Sequence, residues 1–331
     1  MRLLVPESTL GSSEMEKTMR DTPIKILGPL AFSVCLFIRS AADAQSCRTW
    51  VSAIGDDGNP CSRTLPCKTF QGALNQTSEG GEISVLDPGG YGNVTITKSI
   101  TIDGGTGSGW ASILASGANG IVVNVTTNPG TAVVILRNLS INGTRRGPCV
   151  PGLNGIRYLA GSKLIIENCT IFGFSQKAID VNLAATGTLT VTGTTIEDVN
   201  DGIAMTNSAG TMKGVISDSR ITNTSNSGLN LLSGTASISN SVISNNTSFG
   251  VIAQGGSAIN VTDCVLSHNT TAISAAASFA TVRISNNHIL KNNTGVDNSG
   301  TVVSAVNNKF LGNTADTNGA AITSCLPDCV K

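Results

Sequence analysis

Residues 238–243 (ISNSVI), 261–266 (VTDCVL) and 284–289 (ISNNHI) repeat one six-residue pattern: apolar, any residue, Asn or Asp, two further residues, apolar. The pattern extends upstream through residues 216–221 (ISDSRI), 191–196 (VTGTTI, with Gly in the polar slot), 166–171 (IENCTI) and 136–141 (LRNLSI). Downstream it closes at 305–310 (AVNNKF). Successive starts are 30, 25, 25, 22, 23, 23 and 21 residues apart. A second column runs in phase with the first: Gly155-Ile156, Ala178-Ile179, Gly202-Ile203, Gly228-Leu229, Gly250-Val251, Ala272-Ile273 and Gly295-Val296.

A period of this length, with short β-rich runs between Asn and Gly turns, predicts a solenoid. No helical periodicity occurs in the repeats, which excludes ankyrin, TPR and HEAT arrays, and the recurrent Leu scaffold of leucine-rich repeats is missing. A parallel β-helix accounts for both columns. Equivalent residues stack from coil to coil, so Ile and Val fill the interior. The polar column (Asn138, Asn168, Asp218, Asn240, Asp263, Asn286 and Asn307) is expected to bond up and down as a ladder that satisfies turn backbone. Gly before the second apolar column is read as easing a sharp turn into the next strand.

Composition agrees. Among 331 residues, 37 are Gly, 4% are aromatic and 13% are charged, with 21 basic and 21 acidic side chains. Zero net charge gives no electrostatic footprint for nucleic acid and no polybasic attraction to anionic membranes. Stacks of small branched residues need few large aromatics to fill them.

The N-terminus reads as an export signal. Arg20 and Lys25 precede an apolar run, Ile26–Ile38, and Ala42-Asp43-Ala44 fits a small-residue cleavage site. The run is too short to span a bilayer, so no membrane segment is expected after signal removal, and the protein is expected to be secreted, periplasmic or on the cell surface. Residues 1–44 are therefore assigned to the signal region, 45–80 to an N-terminal cap, 81–322 to the β-helix and 323–331 to a C-terminal cap. Removing Cys35 with the signal leaves an even number of the nine cysteines. Cys61/Cys67 and Cys325/Cys329 are read as disulfide staples on the two caps. Cys149 is expected to pin a loop, with Cys47 as its candidate partner. Cys169 and Cys264, four coils apart, are read as packed thiols too distant to pair, and His268 and His288 as exposed.

On these residues the chain resembles the right-handed parallel β-helix superfamily with pectin-lyase-like architecture, over about residues 47–325. Residues 58–74 look like the capping helix that opens many such solenoids, and 80–104 like the first coils. The resemblance implies an all-β, single-domain solenoid of about ten coils. It is similar to exported bacterial members, many without an assigned activity, and implies little about chemistry.

Enzymes of that superfamily carry their sites on the outer face of one strand ladder. With the second apolar column pointing inward, the next residues point outward: Arg157, Asp180, Ala204, Asn230, Ile252, Ser274, Asp297. Only Arg157 and Asp180 are charged on adjacent coils. A glycosidase needs two carboxylates across the scissile bond, and Asp180 with Asp201, read as lying in a turn, is the one candidate pair. A lyase needs a base, for which Arg157 is the candidate, with Glu197, Asp198 and Asp201 as acidic neighbours for a calcium ion that nothing else in the sequence supports. The superfamily's lyase and polygalacturonase motifs are absent. The expectation is thus a surface ion pair, no metal and no cofactor. The loop 143–154 (GTRRGPCVPGLN) lengthens its coil just before Arg157, and Arg145, Arg146 and Arg157 together offer bidentate contacts to an anionic sugar. The sequence therefore points to an exported scaffold that is carbohydrate-binding or structural, with polysaccharide as the expected partner. The alternative is a divergent polysaccharide lyase or glycoside hydrolase acting near Arg157, Asp180 and Asp201.

Overall fold

The computed structural model describes residues 45–105, 111–145 and 147–325. The signal region expected over 1–44 lies outside them, as do Arg146 and Cys329. Three parallel sheets wind around one interior, with twelve, ten and ten strands. Sheet A begins with Ser46–Val51 and ends with Thr323–Ser324. Sheet B follows it round each coil and sheet C closes the turn. This is the right-handed β-helix of about ten coils expected from the repeat.

Pairing is in register, and it places both apolar columns inside. Leu136, Ile166, Val191, Ile216, Ile238, Val261 and Ile284 are successive partners in sheet A. Ile156, Ile179, Ile203, Leu229, Val251, Ile273 and Val296 are successive partners in sheet C. All of these are buried, and each stabilises the fold by about 1.5–3 kcal/mol through its removal from water. The last coil departs from the expected alignment. Ile284 pairs with Ser304, not Ala305, while Ile289 still pairs with Phe310. The corner between those strands is one residue longer, and Val306 (φ 62°) takes the left-handed position in place of Asn307.

The polar column needs correction. Asn138, Asn168, Asp218, Asn240, Asp263 and Asn286 all have φ between 46° and 58°. They turn the corner from sheet A to sheet B in the left-handed region, which Asn and Asp tolerate better than other side chains. Most of them are exposed. Ladder bonds join Asn138 Nδ2 to Asp103 Oδ1 (2.8 Å), Asn286 Nδ2 to Asp263 Oδ1, and Asn286 N to Asn307 Oδ1 (2.8 Å). Among the described residues no such bond links Asn168, Asp218 and Asn240 to their column neighbours.

The buried ladder lies one residue later, and there are two of them. At the first corner, Cys169 N donates to Thr194 Oγ1, Thr194 N to Ser219 Oγ and Ser219 N to Ser241 Oγ, at 3.1–3.4 Å. Cys264 N and Asn287 N continue to Asn287 Oδ1 and Asn308 Oδ1 at 3.0 and 2.9 Å. At the second corner, from sheet B to sheet C, the rungs are Thr224, Asn246, Asn269, Asn292 and Asn313. Each of the three inner Asn residues donates both its backbone N–H and its Nδ2 to, or accepts both from, a neighbouring rung at 2.8–3.2 Å. Spare Nδ2 hydrogens cap interior carbonyls, as Asn269 does to Ile243 O at 3.2 Å. A side chain thus completes the hydrogen bonding of a corner whose backbone points the wrong way to find a strand.

The Gly column is also reinterpreted. Gly228 is outside the left-handed region, but a Cβ there would stand 2.6 Å from Gly250 O and 2.8 Å from the Ile243 side chain. Glycine is needed here for close approach between coils, not for a turn.

The N-terminal end is closed by a disulfide loop and a short helix. The expected Cys61–Cys67 bridge is formed. Within residues 58–74, only those from Phe70 are helical; the helix is Phe70–Gln76, with Thr69 as N-cap accepting from Gly72 N. Asp57 in turn accepts from Lys68 N, Thr69 N and Thr69 Oγ1 at 2.7–2.9 Å. Phe70, Ala73 and Leu74 cover the first coil, with the Phe70 and Tyr91 rings 5.1 Å apart. Cys325 at the other end is a disulfide cysteine; Cys329, assigned as its partner, lies outside the described residues.

Cys47 and Cys149 are free and exposed, so the bridge expected between them is not formed. Cys169 and Cys264 are rungs of the first buried ladder, and burial pushes their thiols up to about 12 and about 11. Alkylation of the native protein at pH 8 should label Cys47 and Cys149 promptly and spare Cys169 and Cys264 until denaturant is added. Prompt labelling of either buried thiol would overturn this ladder assignment. Asn269→Leu orphans the N–H and Nδ2 of Asn246, at about 1–3 kcal/mol for each group. It should lower the melting temperature clearly, whereas Asn240→Gly, at an exposed left-handed corner, should leave it nearly unchanged.

Candidate functional site

The outward column of sheet C has the expected register: Arg157 pairs with Asp180, then Ala204, Asn230, Ile252, Ser274 and Asp297 follow coil by coil. Arg157 Nε lies 3.3 Å from Asp180 Oδ2, and Lys177 Nζ lies 2.6 Å from Asp180 Oδ1. Asp180 is buried. Its carboxylate therefore lies between two cations: Lys177 Nζ donates to Oδ1, and the Arg157 guanidinium is an ion-pair neighbour of Oδ2. Lys177 is the member that the sequence did not single out. It opens the strand Lys177–Leu183, three residues before Asp180, and pairs there with Asp201. Ala178 and Ile179 are both buried, so the strict alternation of side chains is broken ahead of the outward column and Lys177 reaches the carboxylate from the strand entry.

Asp201 is not in a turn. It opens the strand Asp201–Asn207 and is buried. Its Oδ1 accepts from Asn226 Nδ2 at 2.7 Å and from Ser227 N at 3.1 Å, fastening the next coil at the entry to sheet C. Lys177 stands beside Asp201 in register and its ammonium binds Asp180. Glu197 ends the sheet B strand Thr195–Glu197, and Asp198 (φ 56°) turns the following corner. Among the described residues no group of three or more His, Cys, Asp or Glu side chains is placed to hold a metal ion.

The long loop is tied down at its base. Gly152 N donates to Gly143 O at 2.7 Å, and Arg145 N to Gly173 O at 3.0 Å. Arg145 is exposed at the corner between sheets B and C. It lines a cleft of about 280 Å³ with Asn142, Cys149, Phe172 and Asp198. Arg157 does not line this cleft. Of the three arginines expected to act together, Arg157 is engaged with Asp180 on sheet C, Arg145 stands at the corner, and Arg146 lies outside the described residues. His268 and His288 are exposed, His268 at a left-handed corner.

A second charged group emerges on the outer face of sheet A, near its N-terminal end. Arg48 Nη2 lies 2.9 Å from Glu82 Oε1, and Arg137 bridges Glu82 Oε2 (3.4 Å) and Asp103 Oδ2 (3.0 Å). The residues that touch are 34 to 55 positions apart along the chain, so only the coil register brings them together. Their charges are mutually satisfied.

No helix of the described residues is long and apolar enough to cross a membrane. The solved structures that this chain resembles share its solenoid. The pectate lyase Pel9A has 17% identity and a TM-score of 0.63, with 84% of this chain and 79% of that one covered. The enzymatically active domain of bacteriophage CBA120 tailspike protein 2 has 13% identity and a TM-score of 0.54, covering 75% of this chain and 44% of that one. The GH136 lacto-N-biosidase from Eubacterium ramulus has 10% identity and a TM-score of 0.52, covering 84% and 67%. At these identities the likeness is one of fold. No curated protein sequence matches the chain. The profile of the right handed beta helix region matches residues 84–237 and 181–325, together well over half of the sequence, and the chain belongs to that family.

Proposed function

We propose that this protein is an exported scaffold that binds polysaccharide on its outer surface and does not cleave it. The engagement of Asp180 by Arg157 and Lys177 carries this reading. The remaining candidate carboxylate, Asp201, accepts from Asn226 and Ser227 through its Oδ1. A hydrolase needs a proton donor and a second carboxylate free to meet the substrate, and a lyase needs an unencumbered base. The contacts of Asp180 and Asp201 on the sheet C face favour the binding reading over both. Support for a carbohydrate partner comes from the fold neighbours, whose names describe a pectate lyase and a lacto-N-biosidase. Support for export comes from the Cys61–Cys67 disulfide, a bond that persists in oxidising compartments, and from the signal-like N-terminus. The loop carrying Arg145 supplies an exposed cation at a corner where a glycan could rest.

Incubation of the mature protein with a panel of uronic-acid and neutral polysaccharides should yield neither ultraviolet-absorbing unsaturated ends nor new reducing ends, while affinity electrophoresis shows binding. Turnover abolished by Asp180→Asn or Arg157→Ala would establish the lyase or hydrolase alternative at this face. Absence of binding to every polymer would remove the carbohydrate reading altogether.

A further inference from the structure

Four Asn-Gly pairs occur in the sequence: Asn119-Gly120, Asn142-Gly143, Asn154-Gly155 and Asn318-Gly319. In such a pair the glycine nitrogen can attack the preceding side-chain amide, because no Cβ stands in its way. Hydrogen bonding decides whether it does, since an N–H donated to a fixed acceptor is free neither to lose its proton nor to move. Three of the pairs lie inside the solenoid, and their glycines all donate to the next coil. Gly120 N donates to Asn154 O at 2.9 Å, Gly143 N to Phe172 O at 2.8 Å and Gly155 N to Lys177 O at 3.0 Å. Their side-chain carbonyls are engaged as well. Asn119 Oδ1 accepts from Asn154 Nδ2, Asn142 Oδ1 from Thr144 N and Asn154 Oδ1 from Lys177 N.

The fourth pair ends the strand Ala315–Gly319, the terminal strand of sheet C, and both of its residues are exposed. Register fixes where its backbone points. Gly319 is the partner of Asn298, and Ala320 N donates back to Asn298 O at 2.8 Å. In a parallel pair one member bonds both residues flanking its partner, and the partner directs its own N–H and C=O away. The Gly319 N–H therefore faces the side on which, among the described residues, no further strand lies. Asn318 donates its Nδ2 to Asp297 Oδ1 at 2.9 Å, and among the described residues its Oδ1 accepts no bond.

We propose that Asn318 is a site of spontaneous modification, which converts it to aspartate and isoaspartate and unfastens the last coil. Gly319 N gives its proton to hydroxide and bonds to Asn318 Cγ. The Cγ–Nδ2 bond breaks, the nitrogen leaves as ammonia with a proton from water, and a cyclic imide remains. Water then opens the imide at either of its C–N bonds, giving aspartate or, with the main chain rerouted through Cγ, isoaspartate. The step needs only water and is independent of any ligand. Either product replaces the Nδ2 donor with a carboxylate opposite Asp297, its partner in register, and like charges so placed repel. Isoaspartate also lengthens the main chain just before Ala320 and Ala321, whose carbonyls accept from Asn298 Nδ2 at 3.1 and 3.2 Å. Those bonds from a buried side chain fasten the exit from sheet C, and a lengthened chain is out of step with them.

The test is to incubate the mature protein at pH 8 and follow each amide with time by peptide mapping and mass spectrometry. Asn318 should convert to acid more than about tenfold faster than Asn119, Asn142 and Asn154, because a coil opening that costs only about 1.4 kcal/mol already sets that ratio. In denaturant the four rates should converge. Hydrogen exchange over residues 309–325 should quicken in the aged protein but not in aged Asn318→Gln, which keeps an amide and closes the imide ring poorly. Asn318 as persistent in the native protein as Asn142 would overturn the site. Aspartate formed without isoaspartate would show that Gly319 N is not the nucleophile. Conversion that leaves hydrogen exchange unchanged would overturn the unfastening of the coil.

Discussion

From Cys169 onward at the first corner of the coil, and from Thr224 onward at the second, backbone N–H groups beside the short sheet B strand are received by a side chain of the next coil and not by a strand. Within a strand, parallel pairing to the next coil satisfies the backbone. At a corner it does not, because the chain has just passed through a left-handed residue and its amide is displaced from the ladder. The structure answers by letting a side chain of the next coil act as the acceptor. Thr194, Ser219, Ser241, Asn287 and Asn308 serve the first corner, and Asn246, Asn269, Asn292 and Asn313 the second. An asparagine is the fuller solution, since its amide accepts from the coil before and donates to an interior carbonyl or the next rung. The second corner, built from four consecutive asparagines, is accordingly the more completely bonded of the two.

This constraint decides how much of the molecule was legible from sequence. The apolar columns were, because an Ile at a fixed place in each coil has no reason to recur except that it stacks on itself. The polar column was only half legible. Asn138, Asn168, Asp218, Asn240, Asp263 and Asn286 recur because the left-handed corner excludes most residues, a backbone reason, and the pattern looks the same as one produced by side-chain ladders. What would have separated the two is the neighbouring position. There Cys169, Thr194, Ser219, Ser241, Cys264 and Asn287 are all small or amide-bearing and none is charged, as a buried rung requires. The second ladder was hidden by its own corner, where Asn223, Asn245, His268 and Lys291 share the left-handed conformation without sharing a chemistry.

Surface chemistry was legible to the extent that it is local to one column. Arg157 and Asp180 followed from strand alternation. Lys177 did not, because it reaches Asp180 from the entry to the strand, where it pairs with Asp201 before the regular column begins. Nor could the sequence show that Asp201 would be used structurally, since its partners Asn226 and Ser227 belong to the next coil. Coil-to-coil bonds of this kind connect residues some 21 to 26 positions apart, and the variable coil lengths prevent any fixed offset from finding them.

The same geometry governs where a ligand can be bound. Besides its loops, a solenoid offers a ligand runs of outward columns, and what distinguishes one run from another is which charges the coil register has already paired. On sheet C and on the N-terminal half of sheet A, carboxylates beside an arginine are shared with a second cation: Asp180 with Arg157 and Lys177, Glu82 with Arg48 and Arg137. Such pairs are satisfied internally and lose that satisfaction if a ligand enters. Arg283 breaks the rule, because the coils on either side of it offer Asn260 and Val303 where an acid would be needed. An arginine with no acid in register among the described residues keeps an attraction for an anion from outside that the paired arginines direct at their own coils.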